Sequence, residues 1–314
     1  MTTYLLRRVT ISIPTLILIS AIVFGILALA PGDPLAQFAA NPDVPAEVRE
    51  NVRRQFGLDQ PMHIRYVKWV GSMLQGDWGY SFASRVNVLT LIAQRLSTTI
   101  LVIGTAYAIA ILIAIPLGVI TAVRQYSMID QIVTTLSFVG FSLPTFFTGL
   151  ILIIIFSVNL NWLPFVYDGN TKDLWVQIKQ MIMPVAVLAL FQAASLARFV
   201  RASMLDNLGQ DYARTARAKG LRESIVVVRH VLRNALFPVV TLIALQLPNV
   251  FTGAVVTEQI FRVPGMGALL IKSIQDGDTP VVMGIVLLSS VLVVVMTLIA
   301  DVLYGVLDPR VRYA

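Results

Sequence analysis

The sequence predicts an all-α protein that crosses a membrane six times. Hydrophobic residues make up 57% of its 314 residues and charged residues only 13%, whereas a soluble domain carries about 25% charged residues. Six apolar segments approach or exceed the roughly 20 residues that a helix needs to cross a hydrocarbon core of about 30 Å. These predicted spans lie at residues 9–30, 98–122, 131–158, 181–200, 237–260 and 281–306.

The first apolar segment is interpreted as a transmembrane helix. It is longer than the roughly 7–15 residues of a signal-peptide core, and it leads into PGDP at residues 31–34 without a small-x-small cleavage site. Residues 31–97 then form one long segment with turn-rich pieces, NPDVPAE and GDWGYS, and the amphipathic-looking sequence HIRYVKWVGSML. They predict an extracytoplasmic cap between the first and second spans. An interfacial helix with loops that bind nothing is the alternative.

Positive charges predict the orientation of the chain. Six spans place both termini on the same side of the membrane. Outside residues 31–97, that side carries Arg7, Arg8, Arg124, Arg198, Arg201, Arg214, Arg217, Lys219, Arg222, Arg229, Arg233, Arg310 and Arg312, and the other side carries Lys172, Lys179, Arg262 and Lys272. Since basic residues are enriched in cytoplasmic loops, both termini and the loop at residues 211–238 are predicted to be cytoplasmic. The net charge of +7 follows from this bias and does not indicate a nucleic-acid partner.

Prolines and amides interrupt the predicted spans. Proline removes a backbone donor and bends a helix, which membrane helices tolerate where neighbours satisfy the freed carbonyl. The interrupting prolines are Pro14, Pro116, Pro144, Pro184 and Pro248. A polar group within a span is costly unless it faces protein or water. The residues predicted to line a translocation path are Gln246, Asn249, Pro144 and Gln192, with plain hydrogen bonding between helices as the alternative for the amides.

The sequence offers no chemistry that would power transport. Ionisable residues near the middle of the spans are nearly absent, whereas a proton- or sodium-coupled carrier places a carboxylate there. The chain has no GxxxxGK[ST], HExxH or GxSxG sequence and no cysteine, and its two histidines, His63 and His230, lie in different predicted loops. No metal or cofactor site is therefore expected, and the energy source is predicted to be a partner. A secondary transporter or channel, an intramembrane enzyme and a membrane anchor for an ATPase are the alternatives.

The loop at residues 211–238 predicts a docking helix. Its first part, DYARTARAKG, ends at Gly220, and glycine suits a helix end because it enters left-handed conformations freely. Three small side chains, Ala213, Ala216 and Ala218, are expected to let this helix sink into a groove of a partner. The basic side chains around them are expected to meet carboxylates on the rim of that groove. They are Arg214, Arg217, Lys219 and Arg222.

This loop resembles the EAA motif of bacterial ABC importer permeases, whose pattern is E-A-A-x3-G-x9-I-x-L-P. The aligned residues are Arg214, Thr215, Ala216, Gly220, His230, Leu232 and Arg233. The second alanine, the glycine and the leucine match, and the other four motif residues are replaced. The peptide and nickel branch of the family is closer, because DY-x-RTARAKG-L followed by RH-x-LRNAL-x-P resembles the form carried by dipeptide and oligopeptide permease "B" subunits.

Other pieces support the resemblance along nearly the whole chain. In the order of the family they are LLRRV (residues 5–9), APGDP (30–34), FGLDQP (56–61), GDWGYS (76–81), SFVGFSLPTFFTGL (137–150), EQIFRVPGMGALL (258–270) and DVLYGVLDPRVR (301–312). The resemblance implies the type I ABC importer permease fold. It divides the chain into the first span at residues 1–30, the outer segment at 31–97 and a five-helix core at 98–314, with the coupling loop at 204–236.

The resemblance also implies partners and contact residues. The partners would be a second, different permease subunit, two cytosolic ATPase domains that bind ATP and magnesium, an extracytoplasmic solute-binding protein, and the lipid of a bacterial inner membrane. The residues it assigns to ATPase coupling are Asp211, Tyr212, Ala213, Arg214, Thr215, Ala216, Arg217, Ala218, Lys219, Gly220 and Leu221. Those expected to face the binding protein are Arg262, Pro264, Gly265, Met266 and Gly267, with an ordinary connector as the alternative.

The substrate is not fixed by the sequence. The branch that the chain resembles moves short peptides, glutathione, nickel chelates and oligosaccharides, and its binding proteins usually make that choice. Short peptides are the default expectation. Nothing in the predicted spans selects among the four classes.

Overall fold

The computed structural model describes residues 2–29, 60–169, 171, 173–246 and 254–307. Within these ranges the chain is helical, with loops, one isolated bridge between Tyr80 and Asn87, and no β-strand. The helices are α1 (Thr2–Leu29), α2 (Met62–Leu74), α3 (Val88–Val123), α4 (Met128–Ser142), α5 (Thr145–Asn159, π-helical from Ile153), α6 (Leu174–Leu208), α7 (Asp211–Ala218), α8 (Glu223–Gln246, π-helical over Val226–Leu232), α9 (Val255–Ile260), α10 (Met266–Gln275) and α11 (Thr279–Leu307).

The two longest helices, α3 and α6, pack together in parallel. Val102 and Met183, each in the first half of its helix, belong to one buried cluster. Near their last ends Gly118 lies against Val200, so closely that a Cβ on Gly118 would stand 2.5 Å from the Val200 Cβ. Small residues at such a contact let two membrane helices approach closely. This pair forms the centre of the molecule.

The predicted third span, residues 131–158, is not one continuous helix. It consists of α4 and α5, whose axes differ by 103°. Leu143 and Pro144 are extended, with ψ of 128° and 140°, because the proline ring disfavours helical geometry in the residue before it. Since α3 and α6 are parallel, the chain must leave one side of the molecule after α3 and enter α6 on the other. The bent pair therefore crosses, and with the five long helices it makes six spans.

Three other spans differ from their predicted bounds. α3 begins at Val88, well before residue 98, where the Asn87 carboxamide accepts hydrogen bonds from the backbone N–H groups of Leu89 (2.9 Å) and Thr90 (3.4 Å). α6 extends beyond residues 181–200 at both ends.

α8 starts at Glu223 and not near residue 237. The early start of α8 was hidden by its charged face. Val226, Val227, Val231 and Ala235 are buried along one side, while Arg229 and Arg233 are exposed on the other. Apolarity averaged along such a segment stays low, although one stripe of the helix packs well. Residues 247–253, which include Pro248 and Asn249, lie outside the described residues.

The amphipathic sequence at residues 63–74 lies in α2, which packs on α1. The Tyr66 hydroxyl is 2.8 Å from the Ser20 Oγ. The Phe24 ring lies 5.5 Å from the Tyr66 ring and 5.8 Å from the Trp69 ring, centroid to centroid. The rest of the predicted cap, residues 31–59, lies outside the described residues.

The GDWGYS segment is fastened to the start of α11. The buried Asp278 carboxylate accepts hydrogen bonds from the Ser81 hydroxyl and from the backbone N–H groups of Phe82 (3.0 Å) and Ala83 (3.3 Å). A single aspartate therefore holds this segment to the start of α11 on the side of the molecule opposite α7.

Replacing Gly118 by valine should destabilise the protein, because the new side chain would overlap Val200 and the Ala197 carbonyl. Overpacking of this kind costs about 1–3 kcal/mol. The midpoint of thermal unfolding in detergent should fall. Gly104→Val in the same helix is the matched control, since a Cβ there meets nothing within 4 Å. Equal midpoints for the two variants would contradict the close α3–α6 contact.

Candidate functional site

α7 lies on the side of the molecule where α3 and α6 end. It spans Asp211–Ala218, and Gly220 just beyond it has φ of +75°. The predicted left-handed glycine at the end of this helix is therefore confirmed. It turns the chain sharply from α7 into α8, which begins at Glu223.

The prediction that Ala213 and Ala216 enter a partner's groove is wrong. Their exposed fractions are 0% and 5%, and they pack within the protein in one cluster with Val226 and Val231 of α8. The spacing of three residues places both methyl groups on one face of α7, and that face meets its own chain. Of the three alanines, only Ala218 is exposed.

Polar contacts fasten both ends of α7. The Tyr212 hydroxyl donates to the Asn207 Oδ1 at 2.6 Å, near the end of α6. The Arg217 guanidinium donates to both Glu223 oxygens, the shortest contact being 2.7 Å, and to the Leu208 carbonyl at 3.3 Å. The Glu223 carboxylate raises the pKa of Arg217. Arg217 thus makes a contact within its own chain, while 38% of its side chain stays exposed.

The face of α7 that remains exposed is polar and carries a positive balance. Arg214 and Asp211 approach to 3.6 Å, but their side chains are 73% and 97% exposed, so this pair contributes little to stability. Over residues 211–222 the exposed positions are Asp211, Tyr212, Arg214, Thr215, Arg217, Ala218, Lys219, Gly220, Leu221 and Arg222. Besides Arg217, which pairs with Glu223, this set holds three basic side chains and one acid, which suits a partner with carboxylates on its surface.

A buried glutamate organises the loop predicted to face a binding protein. Glu258 accepts hydrogen bonds from the Thr99 hydroxyl (2.9 Å) and from the Ala268 N–H (2.9 Å) at the start of α10. The Thr99 Oγ1 in turn accepts from the Met266 N–H at 2.8 Å. A carboxylate at a helix N-terminus satisfies free backbone donors and interacts favourably with the helix dipole.

This arrangement corrects part of the expectation for the loop. Gly265, Met266 and Gly267 are buried around Glu258 and are not displayed. A Cβ on Gly265 would lie 2.1 Å from a Glu258 oxygen, so the glycine is there to admit the carboxylate. Arg262, with φ of +50°, is exposed, and Pro264 is half-buried.

Three of the four residues predicted to line a translocation path are among the described residues. Gln246 accepts a hydrogen bond from the buried Tyr107 hydroxyl of α3, which is the interhelical bonding named as the alternative. Gln192 is half-buried on α6, Pro144 begins α5, and Asn249 lies outside the described residues.

A mostly apolar cavity of about 350 Å³ lies at the α4–α5 bend. Residues of α3, α4, α5 and α6 line it, among them Leu143, Thr145 and Phe191. It thus lies beside Pro144 but does not include Gln192 or Gln246. The described residues contain no group of three or more His, Asp or Glu side chains placed to hold a metal ion.

Sequence reasoning missed an ion pair between α4 and α6. The Arg201 Nε and Nη2 atoms donate to the Asp130 Oδ1 and Oδ2 atoms, both at 2.8 Å. The two residues are far apart in sequence, and Asp130 looks like an ordinary acidic residue in the first turn of a helix. The available signal was its place beside an apolar segment, where an acid needs a partner.

Residues 114–313 match the protein family described as "Binding-protein-dependent transport system inner membrane component", and residues 1–103 match the N-terminal family described as "Binding-prot-dependent transport system membrane comp, N-term". The oligopeptide transport system permease protein AppB of Bacillus subtilis is 44% identical over 317 residues, with 100% of both chains covered. The glutathione transport system permease protein GsiC of Salmonella paratyphi A is 41% identical over 313 residues, also with 100% of both covered.

A putative peptide permease protein of Brucella suis is 40% identical, with 98% of both chains covered. Among solved structures, an amino acid ABC transporter determined with histidines superposes with a TM-score of 0.50 at 16% identity. That match covers 71% of this chain and 95% of the other. At this identity the superposition shows a shared fold.

Replacing Gly265 by alanine should displace the Glu258 carboxylate and loosen the loop between α9 and α10, because the added carbon has no room. The loss of these buried hydrogen bonds is expected to cost about 1–3 kcal/mol. Trypsin should then cleave faster after Arg262, which is already exposed. Gly71→Ala in α2, where a Cβ meets nothing within 4 Å, should leave cleavage unchanged. Equal cleavage rates would show that the carboxylate does not hold the loop.

Proposed function

Since this chain belongs to the family of binding-protein-dependent transport system inner membrane components and is a permease subunit of an ABC importer, we propose that it forms one half of the path by which short peptides enter a bacterial cell. A second, different permease would form the other half. Two cytosolic ATPase domains that bind ATP and magnesium would supply the energy, and an extracytoplasmic binding protein would deliver the substrate.

The similar proteins support a peptide substrate. AppB is an oligopeptide permease, the Brucella protein is a putative peptide permease, and GsiC belongs to a transport system for glutathione, itself a tripeptide. Each is similar to this chain over 98% or more of its length. Glutathione, nickel chelates and oligosaccharides are the alternative substrates.

The observation that carries the coupling mechanism is the attachment of α7. Its inner face is buried against α8 through Ala213 and Ala216, and its ends are bonded to α6 and to the start of α8. A helix held in this way moves as a rigid body with two membrane spans. Its exposed face, with Arg214, Lys219 and Arg222, would meet carboxylates of an ATPase domain.

We infer alternating access from the same geometry. When ATP closes the two ATPase domains, α7 would carry the end of α6 and the start of α8 with it. The helix bundle would then pass between two discrete packings. α7 and both termini would lie in the cytoplasm, as the charge distribution indicates. The loop around Arg262 and Pro264 would face the binding protein on the opposite side.

The substrate is tested by reconstituting the whole complex in liposomes with its binding protein and measuring uptake of labelled peptides of two to five residues. ATP-dependent uptake of one of these is expected, with glutathione, a nickel chelate and an oligosaccharide as competitors. If only one of these competitors inhibits uptake, that compound would replace short peptides as the assigned substrate. Uptake that continues without ATP but collapses with an ionophore would favour a secondary transporter.

Replacing Gly220 by valine should uncouple ATP hydrolysis from uptake. A left-handed conformation costs a residue with a side chain about 1–2 kcal/mol, so the turn would relax and α7 would tilt, although a Cβ at Gly220 touches nothing within 4 Å. Uptake per ATP hydrolysed should fall while the amount of permease in the membrane stays normal. Gly209→Val, at an open position with ordinary φ of −86°, is the control. Equal uptake per ATP would remove α7 from the coupling path.

Reversing the charge of Arg214 to glutamate should weaken binding of the ATPase subunits. The side chain is exposed, so the change leaves the fold intact and alters only the charge presented to the partner. Copurification of the ATPases should fall, and more steeply in low salt than in high salt. Arg124→Glu, an exposed arginine at the end of α3, is the control for a general charge effect. If both variants retain the ATPases equally, the exposed face of α7 is not the docking face.

A further inference from the structure

α4 is held to α6 by two arginines that stand one helical turn apart. Arg201 makes the paired hydrogen bonds to Asp130. Arg198 lies over the Phe138 and Phe141 rings of α4, 5.0 Å and 4.8 Å from their centroids. Residues three apart on a helix face the same side, so α6 presents both guanidinium groups to α4.

The Asp130 carboxylate is fully used at this contact. Besides Arg201, it accepts hydrogen bonds from the Tyr126 N–H (2.9 Å) and from the Thr134 hydroxyl (3.2 Å). Its side chain is only 6% exposed. Tyr126 has φ of +63°, a left-handed conformation that a residue with a side chain adopts at a cost and that its bond to Asp130 helps to hold. The turn before α4, the first turn of α4 and the end of α6 thus share one carboxylate.

The pair lies between α7 and the bend of the third span. On one side, α7 is bonded to Asn207 and to the Leu208 carbonyl. These residues lie about 10 Å along α6 from Arg201. On the other side, α4 runs from Asp130 to the bend at Leu143, about 20 Å away.

We propose that the Asp130–Arg201 pair is a positioning pair that carries the movement of α7 and the end of α6 into the bent α4–α5 span. α4 follows α6 as one body because a two-bond contact between planar groups resists sliding. The bend and its cavity then change shape only when α6 moves. This inference rests on the proposed function, since it specifies how ATP-driven motion reaches the membrane path.

A purely stabilising role makes a different prediction. A buried ion pair can often be replaced by apolar side chains of similar size without loss of stability. Such a replacement keeps α4 packed on α6 but allows it to slide. The double variant Asp130→Leu with Arg201→Met therefore separates the two roles, and Asp130→Asn and Arg201→Lys each keep part of the contact.

The test measures peptide uptake and ATP hydrolysis by the whole reconstituted complex. Uptake per ATP hydrolysed should fall about fivefold or more in Asp130→Asn and in the double variant, with Arg201→Lys between these and the unchanged protein. Thermal midpoints should fall in Asp130→Asn but recover in the double variant. Arg124→Gln, an exposed neutralisation on the same side, should behave as the unchanged protein.

A second measurement keeps the test decisive if a variant is unstable. The chain has no cysteine, so spin labels can be placed at Leu136→Cys on α4 and Phe199→Cys on α6, both exposed positions. The distance between the labels should stay constant when ATP binds the unchanged complex. In the Asp130→Asn background it should shift or broaden.

The outcomes separate this inference from the proposed function. If the unchanged complex imports peptide with ATP and the variants keep its uptake per ATP, the pair only stabilises the fold. An ATP-dependent change of the label distance in the unchanged complex would also overturn the inference. If the unchanged complex imports no peptide, or imports it without ATP, the proposed function itself fails.

Discussion

The close parallel contact of α3 and α6 sets the arrangement of the whole chain. Gly118 leaves no space for a side chain against Val200 and the Ala197 carbonyl, so the two backbones are fixed at short distance. Because both helices run in the same direction, the segment between them has to return across the bundle, and it does so as the bent α4–α5 pair. The end of α6 also places α7, which begins three residues after it. The bend and α7 are therefore both positioned by one helix pair.

Three buried carboxylates close the junctions that this packing leaves. Asp130 joins α4 to α6 on the α7 side, and Glu258 and Asp278 fasten loops on the opposite side. All three accept backbone N–H groups and at least one side-chain donor. A buried charge without such partners would be costly, so the acid and its donors must keep their geometry together. The backbone around these carboxylates is constrained as well. Gly265 has no side chain at the place that the Glu258 carboxylate occupies.

Apolarity alone predicted the number of spans, because the cost of exposing polar backbone in a membrane leaves few alternatives to helices. It did not predict where the helices begin. Arg229 and Arg233 lowered the average over the first turns of α8, although Val226 and Val231 bury the other face. Pro144 indicated that the third span could bend. The angle of the bend could not be predicted, because it depends on the parallel α3–α6 pair. Family motifs located α7 and its glycine, whereas the inward direction of Ala213 and Ala216 depends on α8, a helix whose start was misplaced.

The attachments of α7 differ in strength, which bears on the proposed movement of α7 with α6 and α8. The Arg217–Glu223 pair is exposed. An exposed pair contributes about 0–1 kcal/mol, so this pair adds little to the stability of the α7 attachment. The buried alanine face supplies the close fit that keeps α7 aligned with α8. Deeper in the bundle, breaking a buried pair such as Asp130–Arg201 by removal of one partner costs about 3–5 kcal/mol. A force applied at the exposed face of α7 would therefore strain the surface contacts before it could separate α4 from α6. The stronger contact is therefore the Asp130–Arg201 pair between α4 and α6. If that contact slipped, the bent α4–α5 span could move independently of α6.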